Sequence, residues 1–212
     1  LKEKDINNVL PFVRFSIPFI MGGFFLTFLS FYFEERFFGI LFGLITSFIA
    51  FFFRDPERKA LLPKNAIVSP ADGRILEVKE MGDMIKISIF MSLMDVHVNR
   101  IPINGRILKI RHNPGKFLRA YLDQASKENE KNRVLIMPEN SDKPYELIQI
   151  AGILARRIIC WVKEGDEVQK GQRFGLICFG SRVELLIDKR CEIVVQPGQK
   201  VKAGINILGY IR

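Results

Sequence analysis

Histidine, cysteine and tryptophan are scarce in this chain of 212 residues, which holds two, three and one of them. His97 and His112, with Cys160, Cys178 and Cys191, are too few and too scattered for a zinc site or a disulfide framework. Each cysteine stands among apolar neighbours and reads as small core filler in a reducing compartment. The first quarter lacks net charge: Lys2, Lys4, Arg14 and Arg36 balance Glu3, Asp5, Glu34 and Glu35, so the formal charge of +9 belongs to residues 54–212. That basic part is in turn poor in phenylalanine, with only Phe90, Phe117, Phe174 and Phe179. A basic surface has nucleic acid and anionic membrane as its common partners. The shortage of aromatics for base stacking argues against nucleic acid.

The other 15 of the 19 phenylalanines fall between residues 12 and 53. Segments 15–33 and 37–53 carry no charge and are separated by Glu34-Glu35-Arg36. A membrane-crossing helix needs roughly 20 apolar residues, with about 17 as the lower limit. The pattern predicts an α-helical membrane hairpin over 1–53. Basic residues at both ends (Lys2, Lys4, Arg54, Arg58, Lys59) put the termini, and the domain that follows, on the cytoplasmic side of the cell membrane. Pro18, Gly22, Gly23 and the short second segment leave two forms open, a full crossing and a pair of helices dipping into one leaflet.

Residues 54–212 form the second domain. Short extended runs at 66–68, 74–78, 84–90, 105–111, 134–137, 147–150, 158–162, 174–179, 183–187 and 191–195 are punctuated by Asp72-Gly73, Asn104-Gly105, Gly165-Asp166 and Pro197-Gly198. One helix is expected over 115–127, where Phe117, Ala120, Tyr121 and Ala125 share a face. The fold class is therefore mainly β, a barrel- or sandwich-like α+β catalytic domain behind the helical hairpin. A weak repeat, Val162-Lys-Glu-Gly-Asp-Glu-Val-Gln-Lys-Gly171 against Val195-Gln-Pro-Gly-Gln-Lys-Val-Lys-Ala-Gly204, matches the way lipoyl- and biotinyl-carrier sandwiches mark their hairpins.

Three segments carry residues capable of chemistry. Gly180-Ser181 interrupts a run that otherwise reads as buried strand; glycine there is costly unless the backbone bends or is closely approached. The serine hydroxyl is placed to attack the Gly180 carbonyl, and Gly-Ser is equally an ordinary turn pair. His97, in Asp95-Val-His-Val-Asn-Arg-Ile-Pro102, can take a proton near neutral pH; the plainer reading is a histidine bonded to a backbone carbonyl. Asp72, in Ser69-Pro-Ala-Asp-Gly-Arg74, is either turn chemistry or the carboxylate that fixes the tautomer of His97, which would then activate Ser181. His112 and Lys116 lie in the turn entering the expected helix, whose N-terminus would suit a phosphate.

In this order and spacing the segments resemble phosphatidylserine decarboxylases of the short bacterial and archaeal type, over nearly the whole chain. The matching pieces are the apolar hairpin before Phe53-Arg-Asp-Pro56, the Ser-Pro-Ala-Asp-Gly stretch, Asp-Val-His-Val-Asn-Arg-Ile-Pro, the Glu128-Asn-Glu-Lys-Asn132 run and Phe179-Gly-Ser-Arg182. The resemblance implies a zymogen that cuts itself between Gly180 and Ser181 into a large and a small chain. Ser181 would become a covalent pyruvoyl cofactor, with no metal and no pyridoxal phosphate. The pyruvoyl group would form a Schiff base with the amine of a serine phospholipid, phosphatidylserine or archaetidylserine, and release CO2 to leave the ethanolamine lipid. Catalytic roles fall to Ser181, His97 and Asp72, and substrate contacts to His112, Lys116 and Arg100. A second copy of the chain is admitted as a further partner.

Two positions depart from the longer members. They carry Leu-Gly-Ser-Thr where this chain has Phe179-Gly180-Ser181-Arg182, and a second histidine, to which the self-cleavage base often maps, where this chain has Arg100. His97 then serves both reactions, or His112 or a water takes one. The rival from another class is a non-catalytic, membrane-anchored, carrier-like adaptor with Gly180-Ser181 as a plain bend.

Overall fold

The computed structural model describes residues 12–58, 60, 62–153, 157–178 and 180–212. It divides into two compact units, one ending at Glu57 and one spanning Arg58–Arg212.

In the first unit, α1 (Ile17–Tyr32) and α2 (Arg36–Phe52) fold back on each other. Pro18 sits in the first turn of α1, where its missing N–H removes no helical bond. Small residues let the helices touch: a Cβ on Gly23 would lie 2.1 Å from Thr46 Oγ1, and one on Gly39 would lie 2.9 Å from the Phe31 ring. The hydroxyls of Thr27, Ser30, Thr46 and Ser47 each donate to the carbonyl four residues earlier, so they are satisfied without water. Phe19, Phe24, Phe25, Phe28 and Phe37 are each more than half exposed, an apolar surface suited to hydrocarbon rather than water. Residues 14–32 are long and apolar enough to cross a bilayer; α2, with 17 residues, is shorter. Lys2, Lys4 and Lys59, used above for orientation, lie outside the described residues.

The second unit is built on β1 (Ala66–Val68), β2 (Gly73–Met81), β3 (Met84–Met91), β4 (Val98–Arg100), β5 (Gly105–Asn113), β6 (Lys131–Pro138) and β7 (Tyr145–Ala151). It continues through β8 (Ile158–Cys160), β9 (Glu167–Val168), β10 (Arg173–Ile177), β11 (Ser181–Asp188), β12 (Glu192–Ile193), β13 (Lys200–Val201) and β14 (Ile207–Tyr210). An eight-stranded sheet runs β13-β2-β3-β11-β7-β6-β5-β9, and two three-stranded sheets run β1-β14-β12 and β4-β10-β8. All the pairs are antiparallel. The core between them is Ile-, Val- and Leu-rich: Ile67, Ile87, Ile89, Ile107, Val134, Ile136, Leu147, Val183, Leu185 and Leu208 are at most 1% exposed.

The repeat seen in the sequence belongs to a larger duplication. Residues 69–75 (Ser-Pro-Ala-Asp-Gly-Arg-Ile) and 101–107 (Ile-Pro-Ile-Asn-Gly-Arg-Ile) hold equivalent places. Gly73 pairs with Val201 and Gly105 with Val168, and both following strands slip register at the same point, after Ile75 and after Ile107. Asp72 Oδ1 accepts the Ala203 N–H at 2.8 Å, as Asn104 Oδ1 accepts the Lys170 N–H at 2.9 Å. The copies clasp through reciprocal bonds, Val68 N–H to Pro102 O at 2.9 Å and Arg100 N–H to Pro70 O at 2.8 Å. One copy (β4–β10) is thus inserted into the other (β1–β3 and β11–β14), and the chain leaves at Met91 and re-enters at Ser181. In the inserted copy the strands equivalent to β3 and β11 are β6 and β7, joined only by residues 139–144.

Two expectations are corrected. Over 115–127 only α3 (Asp123–Glu128) is helical. The buried Asn129 side chain binds both the N–H and the C=O of Leu118 at 2.8 Å, which holds 114–122 as an extended loop. Of the four residues given that face, Ala120 and Ala125 are buried, while Phe117 and Tyr121 stay 39% and 48% exposed. Strands β4, β9, β13 and β14, of two to four residues, lie outside the expected runs.

Candidate active site

Ser181 opens β11, a strand paired on both sides; it faces Met91 of β3 and Ala151 of β7 and is fully buried. Gly180 does not interrupt a strand: β10 ends at Ile177 in one sheet and β11 begins in another, with the junction between them. Gly180 has φ +50°, in the left-handed region that favours glycine, with open space where a Cβ would point. Its carbonyl oxygen rests on a second glycine. A Cβ on Gly152 would lie 1.9 Å from Gly180 O and 3.2 Å from the Ala120 Cβ, so only glycine fits there. Ala120 of loop 114–122 thus packs beside Gly152. Asn129 clamps the loop from below with a third bond, to Ala151 O at 2.7 Å.

The Ser181 hydroxyl donates to the Met91 sulfur at 3.4 Å. That sulfur also accepts Asn99 Nδ2 at 3.5 Å; Asn99 Oδ1 accepts Gln149 Nε2 at 2.9 Å, and Gln149 Oε1 accepts Asn132 Nδ2 at 3.1 Å. Asn99, Asn132 and Gln149 are buried, so a row of satisfied amides backs the serine. One residue on, buried Arg182 lies 3.0 Å from both Glu77 and Glu184 and donates to Ser88 Oγ at 3.0 Å. Burial pushes the Glu77 carboxyl up, but Lys86 and Arg182 more than offset it and hold it below its ordinary value.

His97 is buried just before β4. Its Nδ1 lies 2.9 Å from Asp95 O. A carbonyl only accepts, so Nδ1 carries the hydrogen and, in the neutral ring, Nε2 carries the lone pair. The group holding this tautomer at Nδ1 is therefore the Asp95 carbonyl and not Asp72, as the sequence had suggested. Both Asp72 oxygens are engaged by Arg58, at 2.5 and 2.7 Å, and Oδ1 also takes the Ala203 N–H. The His97 carbonyl accepts the Ile177 N–H at 3.4 Å, and Asn99, two residues on, holds Met91.

The three suggested substrate contacts are not gathered in one place. Arg100 is buried in the seam between the copies, with Nη1 2.9 Å from Gly171 O. His112 is exposed on β5, 3.5 Å from Glu130, and Lys116 is an exposed partner of Glu128 at 2.8 Å. No helix starts at 115, so the phosphate site expected at a helix N-terminus is absent there. Sequence reasoning missed Met91, Asn99, Asn129, Gln149 and Gly152. Polar amides inside apolar strands (Val-Asn-Arg, Leu-Ile-Gln-Ile) were the available signal for two of them.

A family model described as phosphatidylserine decarboxylase matches residues 45–209. The chain is 45% identical over 204 residues to the phosphatidylserine decarboxylase proenzyme of Syntrophus aciditrophicus, a match covering 92% of this chain and 95% of that one. The chain belongs to the phosphatidylserine decarboxylase family. It is also similar to the proenzymes of that name from Desulfotalea psychrophila, 43% identical with 95% and 97% covered, and Rickettsia felis, 41% identical with 97% and 93% covered. This family member is a carboxy-lyase. Its mainly β domain follows an apolar helix long enough to cross a membrane.

Proposed function

We propose that the chain is a self-processing decarboxylase of a serine phospholipid, phosphatidylserine or archaetidylserine, with its active group made from Ser181. The observation that carries this reading is the Gly180-Ser181 junction: a left-handed glycine, its carbonyl seated on Gly152, followed by a fully buried hydroxyl on a fixed strand end. Ser181 Oγ attacks the Gly180 carbonyl carbon, the peptide C–N bond breaks, and the hydroxyl proton passes through a base to the freed amine. Loss of the Ser181 Cα proton then breaks Cβ–Oγ, and Gly180 departs as a carboxylate. The resulting enamine gains a proton at Cβ, and water hydrolyses the imine to a ketone and ammonia. His97 supports the role of base, since its Nδ1 bond directs the lone pair to Nε2.

The residues suit a keto-acyl group at 181. It would cap a buried strand whose neighbour is a thioether rather than a charge. That group supplies an electron sink, because its ketone condenses with the substrate amine and accepts the pair left by departing CO2. The exposed phenylalanines of α1 and α2 and the net positive remainder support work at an anionic membrane surface, with the basic residues after α2 favouring its cytoplasmic face. Intact mass tests the reading: the protein is expected as residues 1–180 and a blocked small chain, and Ser181→Ala as one uncut chain. CO2 release from phosphoserine lipid by an uncut wild-type chain would overturn it.

A further inference from the structure

Among the described residues, the one side-chain bond of the Ser181 hydroxyl goes to sulfur, the weakest common acceptor, in a place with amides close by. We infer that Met91 is a positioning residue matched to both chemical states of residue 181, holding the hydroxyl before the cut and packing on the methyl after it. This rests on the self-processing reading above.

In the precursor, residue 181 carries CH2OH in a fully buried position, and an unbonded hydroxyl there is costly. In the processed chain the oxygen has left with Gly180 and the same carbon is CH3. A carboxylate, carbonyl or amide acceptor would serve the first state and be stranded in the second, because losing one partner leaves the other desolvated and unpaired. A leucine would serve the second state and leave the hydroxyl unbonded in the first. A thioether accepts a weak hydrogen bond and is also a good apolar contact. Methionine is ordinarily a flexible filler, but here Asn99 Nδ2 at 3.5 Å fixes the sulfur, and Gln149 and Asn132 fix Asn99. The weak bond also leaves the hydroxyl free to turn to its base.

Met91→Leu and Met91→Gln in the full chain test this, with two separate readouts: the rate at which precursor becomes two fragments, and turnover per keto-acyl group titrated by reductive trapping. Met91→Leu is expected to slow cleavage about threefold with a smaller effect on turnover per group. Met91→Gln is expected to cleave faster than Met91→Leu, yet to lose about tenfold in turnover per group and to melt lower once processed, because its amide then faces a methyl. The ratio of the two readouts thus moves in opposite directions. A residue that only fills space would move both together, and that result overturns the assignment of Met91 while leaving self-processing intact. A wild-type chain that never divides overturns self-processing and this inference with it.

Discussion

Asp72 and Asn104 occupy equivalent places in the two copies, and both side chains cap a backbone N–H. One charge separates them, so the carboxylate of Asp72 is not needed for the turn. It is bound by Arg58, and both side chains are nearly buried, 10% and 6% exposed. Asp72→Asn should keep the cap but strand the guanidinium, lowering stability by about 3 kcal/mol in denaturant titration. Asp72→Asn with Arg58→Met should recover most of that loss. Self-cleavage measured in the double variant then reports what the charge does for the reaction, apart from the fold. Gly152→Ala acts on the Gly180 carbonyl, the group proposed to react. The added methyl needs the space of Gly180 O, and a displacement near 1 Å costs on the order of 100-fold in rate. Gel-resolved cleavage should show that loss, and cleavage at the wild-type rate would remove Gly152 from the site.

Among the elements, loop 114–122 departs furthest from what its sequence pattern implied. Phe117, Ala120, Tyr121 and Ala125 have helical spacing, yet Asn129, invisible to periodicity, makes three bonds that hold the loop extended against β7. Asn129→Ala leaves those backbone groups without their partner and should cost about 2–3 kcal/mol. It should also speed amide exchange across 114–122, which hydrogen–deuterium exchange would show. The strands were legible wherever five or more residues carried an apolar run, as in β3, β7 and β11. They were illegible in β4 and β13, which are strands because of what lies beside them. His97, Ser181 and Asp72 were each legible as candidates from their local motifs. Their partners, the Asp95 carbonyl, Met91 and Arg58, were not, because two of the three come from segments at least 14 residues away in the chain, and the third is a backbone atom.

For the molecule as a whole, the duplication offers a reason why the proposed cut at 180/181 would be tolerated. In the inserted copy the equivalent strands need only a short hairpin, and β11 is held by eight register pairs with β3 and six with β7. The small chain should therefore co-elute with the large one in native size exclusion and part from it only in denaturant. Acid should loosen the far end of the same strand. Arg190 beside Asp188 holds its carboxyl down to about 2, against about 3.9 unfolded. Because the folded value is the lower, this contribution to stability is complete above pH about 4 and disappears as pH falls through about 2. A stability profile over that window should flatten in Asp188→Asn.

Composition and local pattern alone determined the greasy hairpin, the mainly β domain, the duplicated turn signals and the choice of Gly180-Ser181 as the candidate dipeptide, since each depends on residues adjacent in the chain. Only the tertiary structure decided which side chains face that dipeptide. Strand pairing brings Met91 to Ser181 across 90 residues, and the packing of Gly152 against Gly180 O depends on two backbones meeting. Contacts of that kind follow from closure of the sheet and leave no local trace in the order of the residues.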